Sequence, residues 1–199
     1  MKVGKIAVLV AVLVLFGTYA YAADCNSGGR YEDNGNGTVT DCRTGLVWLQ
    51  NAECINTSNN ITPNNQGQLS WSDAMKWVAG LGNGICSLSD GSGAGDWRLP
   101  TKTEWMAMIA YAFKTKGYSG PPLTNDAGTD KWGTGTSSFT SVQPFYWTST
   151  TYLGNTVSPS AWFVNMYTVG MAWRDKTAPG YVWPVRGGQP RSFGSVRIE

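Results

Sequence analysis

Histidine is absent from the 199-residue chain. Without an imidazole there is no Ser-His-Asp or Cys-His catalysis, no histidine-ligated zinc and no histidine pH switch within it. Excess charge is also missing. The formal net charge is +2, and Lys2 and Lys5 alone account for it. From residue 23 onward there are 13 basic and 13 acidic side chains, so a bulk electrostatic grip on nucleic acid or an anionic membrane has no support. The balance is uneven along the chain, with nine acids and five bases over 23–110 and four acids and eight bases over 111–199. None of the four cysteines forms a CxxC pair, which argues against a redox motif or a cysteine metal centre. No stretch reaches the roughly 20 apolar residues of a membrane-spanning helix.

One shorter apolar run does stand out. Ile6 to Phe16 is unbroken over 11 residues, Lys2 and Lys5 precede it, and Ala20-Tyr21-Ala22 follows. Basic region, apolar region and A-x-A site occur in the order of a cleavable signal peptide, so residues 1–22 are expected to direct export. Cys25 follows Ala-Ala-Asp and is not a lipoprotein signal. The expected product is exported to the periplasm, the cell surface or the extracellular space, with no membrane span left after cleavage. Its 177 residues fit one domain, and a domain of that size buries about 70% of its unfolded-chain surface. Ten Trp, nine Tyr and six Phe supply the bulk for a core.

In an exported chain an even cysteine count reads as disulfides. Cys25, Cys42, Cys54 and Cys86 allow three pairings. Cys25–Cys42 with Cys54–Cys86 is preferred, because residues 26–41 read as an extended segment that turns back through Asn34-Gly35-Asn36-Gly37. Each bond would stabilise by roughly 3–4 kcal/mol on the chain-entropy account.

Two helices are expected. Ser70 and Asp73 form a capping box before the stripe Trp71, Ala74, Met75, Val78 and Leu81. Thr101 and Glu104 form a second one after Pro100, before Trp105, Met108, Ile109 and Ala112. Gly117 closes that region. Strands are expected at Thr38 to Thr40, Leu46 to Leu49, Phe145 to Thr148, Ala161 to Tyr167, Met171 to Arg174 and Tyr181 to Arg186. Residues 56–68 read as a polar loop, with Asn56 and Asn60 in glycosylation patterns that matter only in a eukaryotic secretory pathway. Residues 117–140 read as long surface loops on the same domain. Helices early and antiparallel strands late point to an α+β fold.

Three segments carry a family resemblance. Tyr31 to Asp41 with Thr44-Gly45-Leu46-Val47-Trp48 is the first. Gly95-Asp96-Trp97-Arg98-Leu99-Pro100-Thr101 with Glu104-Trp105 is the second. Tyr146 to Thr150, Ala161 to Val164 and Val182 to Gly188 make up the third. In this order they resemble the Lcl C-terminal domain family, named after a collagen-like bacterial surface adhesin. The resemblance implies a domain over 23–188, followed by a tail at 189–199. It also implies a C-type-lectin-like fold, with two helices packed on short antiparallel strands and long loops between them.

It further implies distant kinship with the formylglycine-generating enzymes, which share a W-R-L-P-T segment and a late V-R-G-G. Those enzymes depend on a late cysteine pair that binds copper. Here no cysteine follows Cys86, so their oxidase activity is not expected. Asp96, Trp97, Arg98, Pro100, Thr101 and Arg186 are read as scaffold, with Asp96 and Arg98 locking the extended lead-in to the second helix and Arg186 tying the last strand to it.

Site chemistry is sparse. Asp33-Asn34-Gly35-Asn36-Gly37 looks like a calcium loop, but it puts glycine where ligands 3 and 5 belong. A tight Asn-Gly hairpin explains it better. Calcium elsewhere stays open, because C-type-lectin-like folds sometimes bind it; no metal or other cofactor is indicated. Asp126 and Asp130 are a weak candidate for a glycosidase pair, since nothing apolar around them would raise one pKa.

Binding is the stronger expectation. Trp162, Asn165, Tyr167, Met171, Trp173, Arg174 and Lys176 offer aromatic faces for sugar rings and cations for sulfate or carboxylate, although alternate residues here would equally serve as strand core. The expected role is a non-catalytic module that binds a polysaccharide, a glycosaminoglycan or a surface protein, and not nucleic acid. A subunit of a bacterial surface fibre or envelope complex is the alternative, and a formylglycine-generating oxidase is the remote one.

Overall fold

The computed structural model describes Cys25 and residues 28–55, 61–112 and 121–187. The expected signal peptide, the Asn56 and Asn60 patterns, Gly117, Gly188 and the tail lie outside these residues.

The fold is α+β, with two helices and two antiparallel sheets. Strands β1 (Tyr31–Asp33), β2 (Thr38–Asp41) and β3 (Leu46–Leu49) come first, followed by helices α1 (Trp71–Ala79) and α2 (Lys102–Ala112). Strands β4 (Phe145–Tyr152), β5 (Ser160–Asn165), β6 (Gly170–Asp175) and β7 (Val185–Gly187) complete the domain. One sheet has the order β1-β2-β3-β7 and the other β4-β5-β6.

The first hairpin follows from its turn. The Asn34 amide donates to Thr38 Oγ1 at 2.7 Å and to Thr40 Oγ1 at 3.0 Å. Gly37 has φ +83°, and a Cβ there would sit 2.6 Å from the Ser87 carbonyl oxygen. Glycine is therefore required twice over, by backbone sign and by space. Both preferred disulfides are present, with Cα separations of 5.7 Å at Cys25–Cys42 and at Cys54–Cys86.

Both helices start where their caps predict. Ser70 Oγ accepts from the Asp73 amide in α1. Ala74, Trp77 and Val78 form its buried face; Trp77 joins the stripe, whereas Trp71 and Met75 are only partly buried. In α2 the box is reciprocal: Glu104 N–H donates to Thr101 Oγ1 at 3.2 Å, and Thr101 N–H donates to Glu104 Oε2 at 2.7 Å.

Strand β4 is longer than expected, because it continues past an irregularity between Trp147 and Thr151. Those extra residues dock α2: Lys102 N–H donates to Thr150 Oγ1 at 3.0 Å, and Ser149 N–H donates to the Pro100 carbonyl at 2.8 Å. Of the expected strand at Tyr181 to Arg186 only the end joins a sheet, with Tyr181 making an isolated bridge to Tyr146. Residues 121–140 form loops, but not merely surface ones. Leu123 and Phe139 are buried in the core, and the Asp126 carbonyl accepts from Arg30 and Tyr31 at 2.6 and 2.9 Å.

The lead-in segment is clamped as its residues suggest. Trp97 and Leu99 point inward and are buried. Asp96 accepts from the Gly93 amide at 2.8 Å. Arg98 exchanges backbone hydrogen bonds with Val185 of β7, and its guanidinium grips Glu104 in a fork at 2.7 and 2.6 Å while also reaching the Gly187 carbonyl. Arg98 thus ties the last strand to the lead-in through hydrogen bonds, and Arg186 adds its guanidinium 5.6 Å from the Trp97 ring centroid while pairing with the buried Asp90 at 3.0 Å.

Burial acts to raise the Glu104 pKa, but the Arg98 fork and the Thr101 bonds outweigh it and hold the carboxyl below its ordinary value. A depressed carboxyl stabilises above its unfolded pKa and loses that contribution as pH falls through the folded one. Glu104→Gln should therefore cost about 1–2 kcal/mol at neutral pH, discounted for the partial exposure of Arg98. Urea denaturation at a series of pH values checks this: the gap to wild type should close below the ordinary glutamate range. A gap that persists at low pH would assign the loss to something other than ionised Glu104.

Candidate binding face on the three-stranded sheet

The residues expected to bind ligand do not form one cluster. Cross-strand partners share a face, and Trp162 pairs with Trp173 while Val164 pairs with Met171. Trp162, Met171 and Trp173 therefore lie on one side of the sheet. Arg174, opposite Ala161, and Asn165, opposite Gly170, lie on the other.

Asn165 ends β5 and holds the turn that follows, with its Oδ1 accepting the Tyr167 and Thr168 amides at 2.9 and 3.0 Å. That turn also holds Val169 at φ 53°, an unusual conformation for a β-branched residue. Tyr167 projects from it and is 71% exposed.

The cations expected to meet an anion are turned onto the protein's own rings. Arg174 lies 5.3 Å from the Phe145 centroid and 5.7 Å from that of Phe163, and it donates to the Pro179 carbonyl. Lys176 Nζ sits 3.7 Å from the Trp71 centroid and donates to Thr151 Oγ1. Such contacts favour the packed position over free solvation by about 0.5–1 kcal/mol at exposed sites.

On the first face a group of rings emerges that the sequence did not single out as a unit. Tyr152 meets Trp162 edge-on, with centroids 5.1 Å apart, and stacks on Trp173 at 4.9 Å and 6°. Lys102, the first residue of α2, places its Nζ 3.4 Å from the Trp162 centroid. Tyr152 and Lys102 were missed because they lie 50 residues apart and on different elements. Trp173 keeps an open face and is 46% exposed, and Leu153 and Val157 of the adjacent loop are almost wholly so.

Asp175 stands just after this shelf. The Thr177 amide, then the Ser158 and Thr177 hydroxyls, hold its carboxyl below the usual range. The arrangement can stack a flat apolar ligand surface on Trp173.

Other candidate groups are accounted for by structure. Asp126 accepts from the Ser138 amide and hydroxyl at 2.8 and 2.7 Å, and Asp130 accepts from the Lys131 amide. Asp33 accepts from Gly35 and Gln50. The donor atoms of Cys25, Glu32 and Cys42 lie close together, but the two sulfurs are spent in a disulfide.

The Lcl C-terminal domain family matches the chain over residues 37–186, and the chain belongs to that family. No curated protein and no solved structure matches it. The match takes in β2 and β3, both helices and the whole three-stranded sheet, so the shelf lies within the family domain.

The shelf depends on Gly154. A Cβ there would overlap the Tyr152 hydroxyl and lie 2.6 Å from Cζ of its ring. Gly154→Ala should push Tyr152 off Trp173 at a cost of about 0.5–1.5 kcal/mol, the worth of one aromatic pair. Near-ultraviolet circular dichroism should lose the coupled Tyr–Trp signal while the far-ultraviolet spectrum stays the same. An unchanged near-ultraviolet spectrum would mean that the ring does not rest on this glycine.

Proposed function

We propose that the chain is an exported, non-catalytic binding module that holds a glycan by stacking a sugar ring on Trp173. One observation carries the reading. Around this sheet Phe145, Phe163, Trp71 and Trp162 each lie under a cation of the chain itself, whereas Trp173 is backed by Tyr152 and left open on its other side. A pyranose ring offers an apolar C–H face of matching size.

The setting is consistent with export. There are two disulfides, and among the described residues no helix is long and apolar enough to cross a membrane. Because Arg174 and Lys176 are engaged internally, ring stacking carries more of the affinity in this reading than ion pairing. Polysaccharides and glycosaminoglycans both supply suitable rings.

A glycan array probed with the disulfide-bonded protein tests this. Trp173→Ala should weaken retention at least tenfold, about 1.4 kcal/mol, and Arg174→Ala should change it far less. If no glycan is retained even at low salt, the glycan reading fails. If Arg174→Ala and Lys176→Ala abolish retention while Trp173→Ala does not, the ligand is an anion held on the opposite face.

A further inference from the structure

We infer that two copies of this chain pair edge to edge through β6, extending the three-stranded sheet across a two-fold axis. β6 is a border strand. The other border, β4, is interrupted between Trp147 and Thr151 and engaged by Tyr181. β6 has no such protection. Its six residues pair with β5 without a break, none of them is buried, and none is proline or lysine. Edges are ordinarily blunted by proline, bulges or outward lysines, because unpaired amides and carbonyls recruit another strand. Its one basic residue, Arg174, is turned onto Phe145 and Phe163.

Which groups face outward can be read from the ladder. Lys176 N–H donates to the Pro159 carbonyl at 2.9 Å, making that a hydrogen-bonded pair, and such pairs recur at every second residue. Gly170, Ala172 and Arg174 therefore bond toward β5, and Met171, Trp173 and Asp175 turn their backbone groups away from it. The Asp175 carbonyl already accepts from the Ala178 amide at 3.1 Å. Among the described residues, the amides and carbonyls of Met171 and Trp173 face no strand.

A second copy fits this edge better than an arbitrary strand, because the edge is self-complementary. An axis through Ala172 sets Met171 opposite Trp173 of the second copy, and the reverse, so the outward groups of both residues are satisfied at once. The Met sulfur then meets the indole face that the single copy leaves open, a favourable contact, so pairing and the stacking of a sugar on Trp173 exclude one another. Charge selects this register. An axis at Arg174 would set two guanidinium groups opposite one another, and an axis at Trp173 would call on the Asp175 carbonyl that Ala178 occupies. With the axis at Ala172, Arg174 lies opposite Gly170. The small net charge of +2 adds little repulsion between copies.

Sedimentation velocity on the disulfide-bonded protein over a broad micromolar range should show the mass double with concentration. Met171→Pro removes an outward donor at a position where an edge strand tolerates proline. It should stay monomeric with an unchanged far-ultraviolet spectrum. Ala172→Cys places two thiols at a non-hydrogen-bonded antiparallel pair, close enough for a disulfide, and should give a covalent dimer on a non-reducing gel. A wild type that stays monomeric throughout overturns the inference. So does a dimer that Ala172→Cys fails to lock, whether or not Met171→Pro folds. Neither readout involves a glycan, so this failure and that of the glycan reading are distinguishable.

Discussion

The packing of Trp183 is the contact on which the domain turns. Its ring lies 5.4 Å from Trp48, 5.7 Å from Trp105, 5.0 Å from Phe139 and 5.2 Å from Tyr146. Those four rings come from β3, α2, the loop before β4 and β4 itself. Its indole N–H donates to the Leu49 carbonyl at 2.7 Å, so the side chain is satisfied as well as buried. Each ring of this size buries some 150–250 Å², and removing one from a core typically costs about 3–5 kcal/mol. β3, α2 and β4 cannot move relative to one another without opening this cluster. The late Val182-Trp183-Pro184-Val185-Arg186 segment is therefore the keystone of both sheets, although only its end is a strand.

The loops are held by the same residue type in a second way. The indole N–H groups of Trp71, Trp97, Trp132 and Trp147 donate to Thr148 O, Ser92 Oγ, Phe139 O and Leu69 O. A buried loop with unpaired carbonyls would be costly, and the bonds to Phe139 O and Leu69 O each close one such deficit with a rigid, largely apolar side chain. Trp147 also requires the bare backbone of Gly180, where a Cβ would lie 2.6 Å from its Nε1. Irregular stretches are thus held by tryptophans that stand both within them, as Trp97 and Trp132 do, and on the neighbouring elements, as Trp71 and Trp147 do.

What could be read from the sequence was local. The Asn-Gly turn and both helix starts depend on residues near one another in the chain, where spacing and side-chain chemistry suffice, and the turn that brings Cys25 to Cys42 leaves Cys54 to pair with Cys86. The Arg98 fork onto Glu104 needed the two motifs placed in space, and so did the burial of Leu123 and Phe139 from a segment with loop composition. The binding residues were the least legible. Alternation along β5 and β6 shows that faces exist, but not that Lys102 would cover Trp162 or that Lys176 would cover Trp71. Those pairs join positions 60 and 105 residues apart. Without them, an aromatic residue and a cation close in sequence look like one site when they stand on opposite sides of a sheet.

The position of the shelf has a physical origin in the core. Tyr146 pairs with Val164 on the face that carries Trp162 and Trp173, and its ring stacks on Trp105 of α2 at 5.5 Å and 17°. That face is therefore core where the helix covers it. Helix α2 begins at Lys102, and the rings beyond that point, Tyr152, Trp162 and Trp173, continue the same apolar face; among the described residues the helix reaches them only through the Lys102 side chain on Trp162. Lys102 screens Trp162, Tyr152 is closed between Gly154 and Trp173, and the solvent meets the last ring. A face patterned for burial that outruns its cover will expose its outermost member, and that member sits on the border of the three-stranded sheet that has no bulge. Helix length and edge geometry together thus decide which aromatic of this domain is available to a partner.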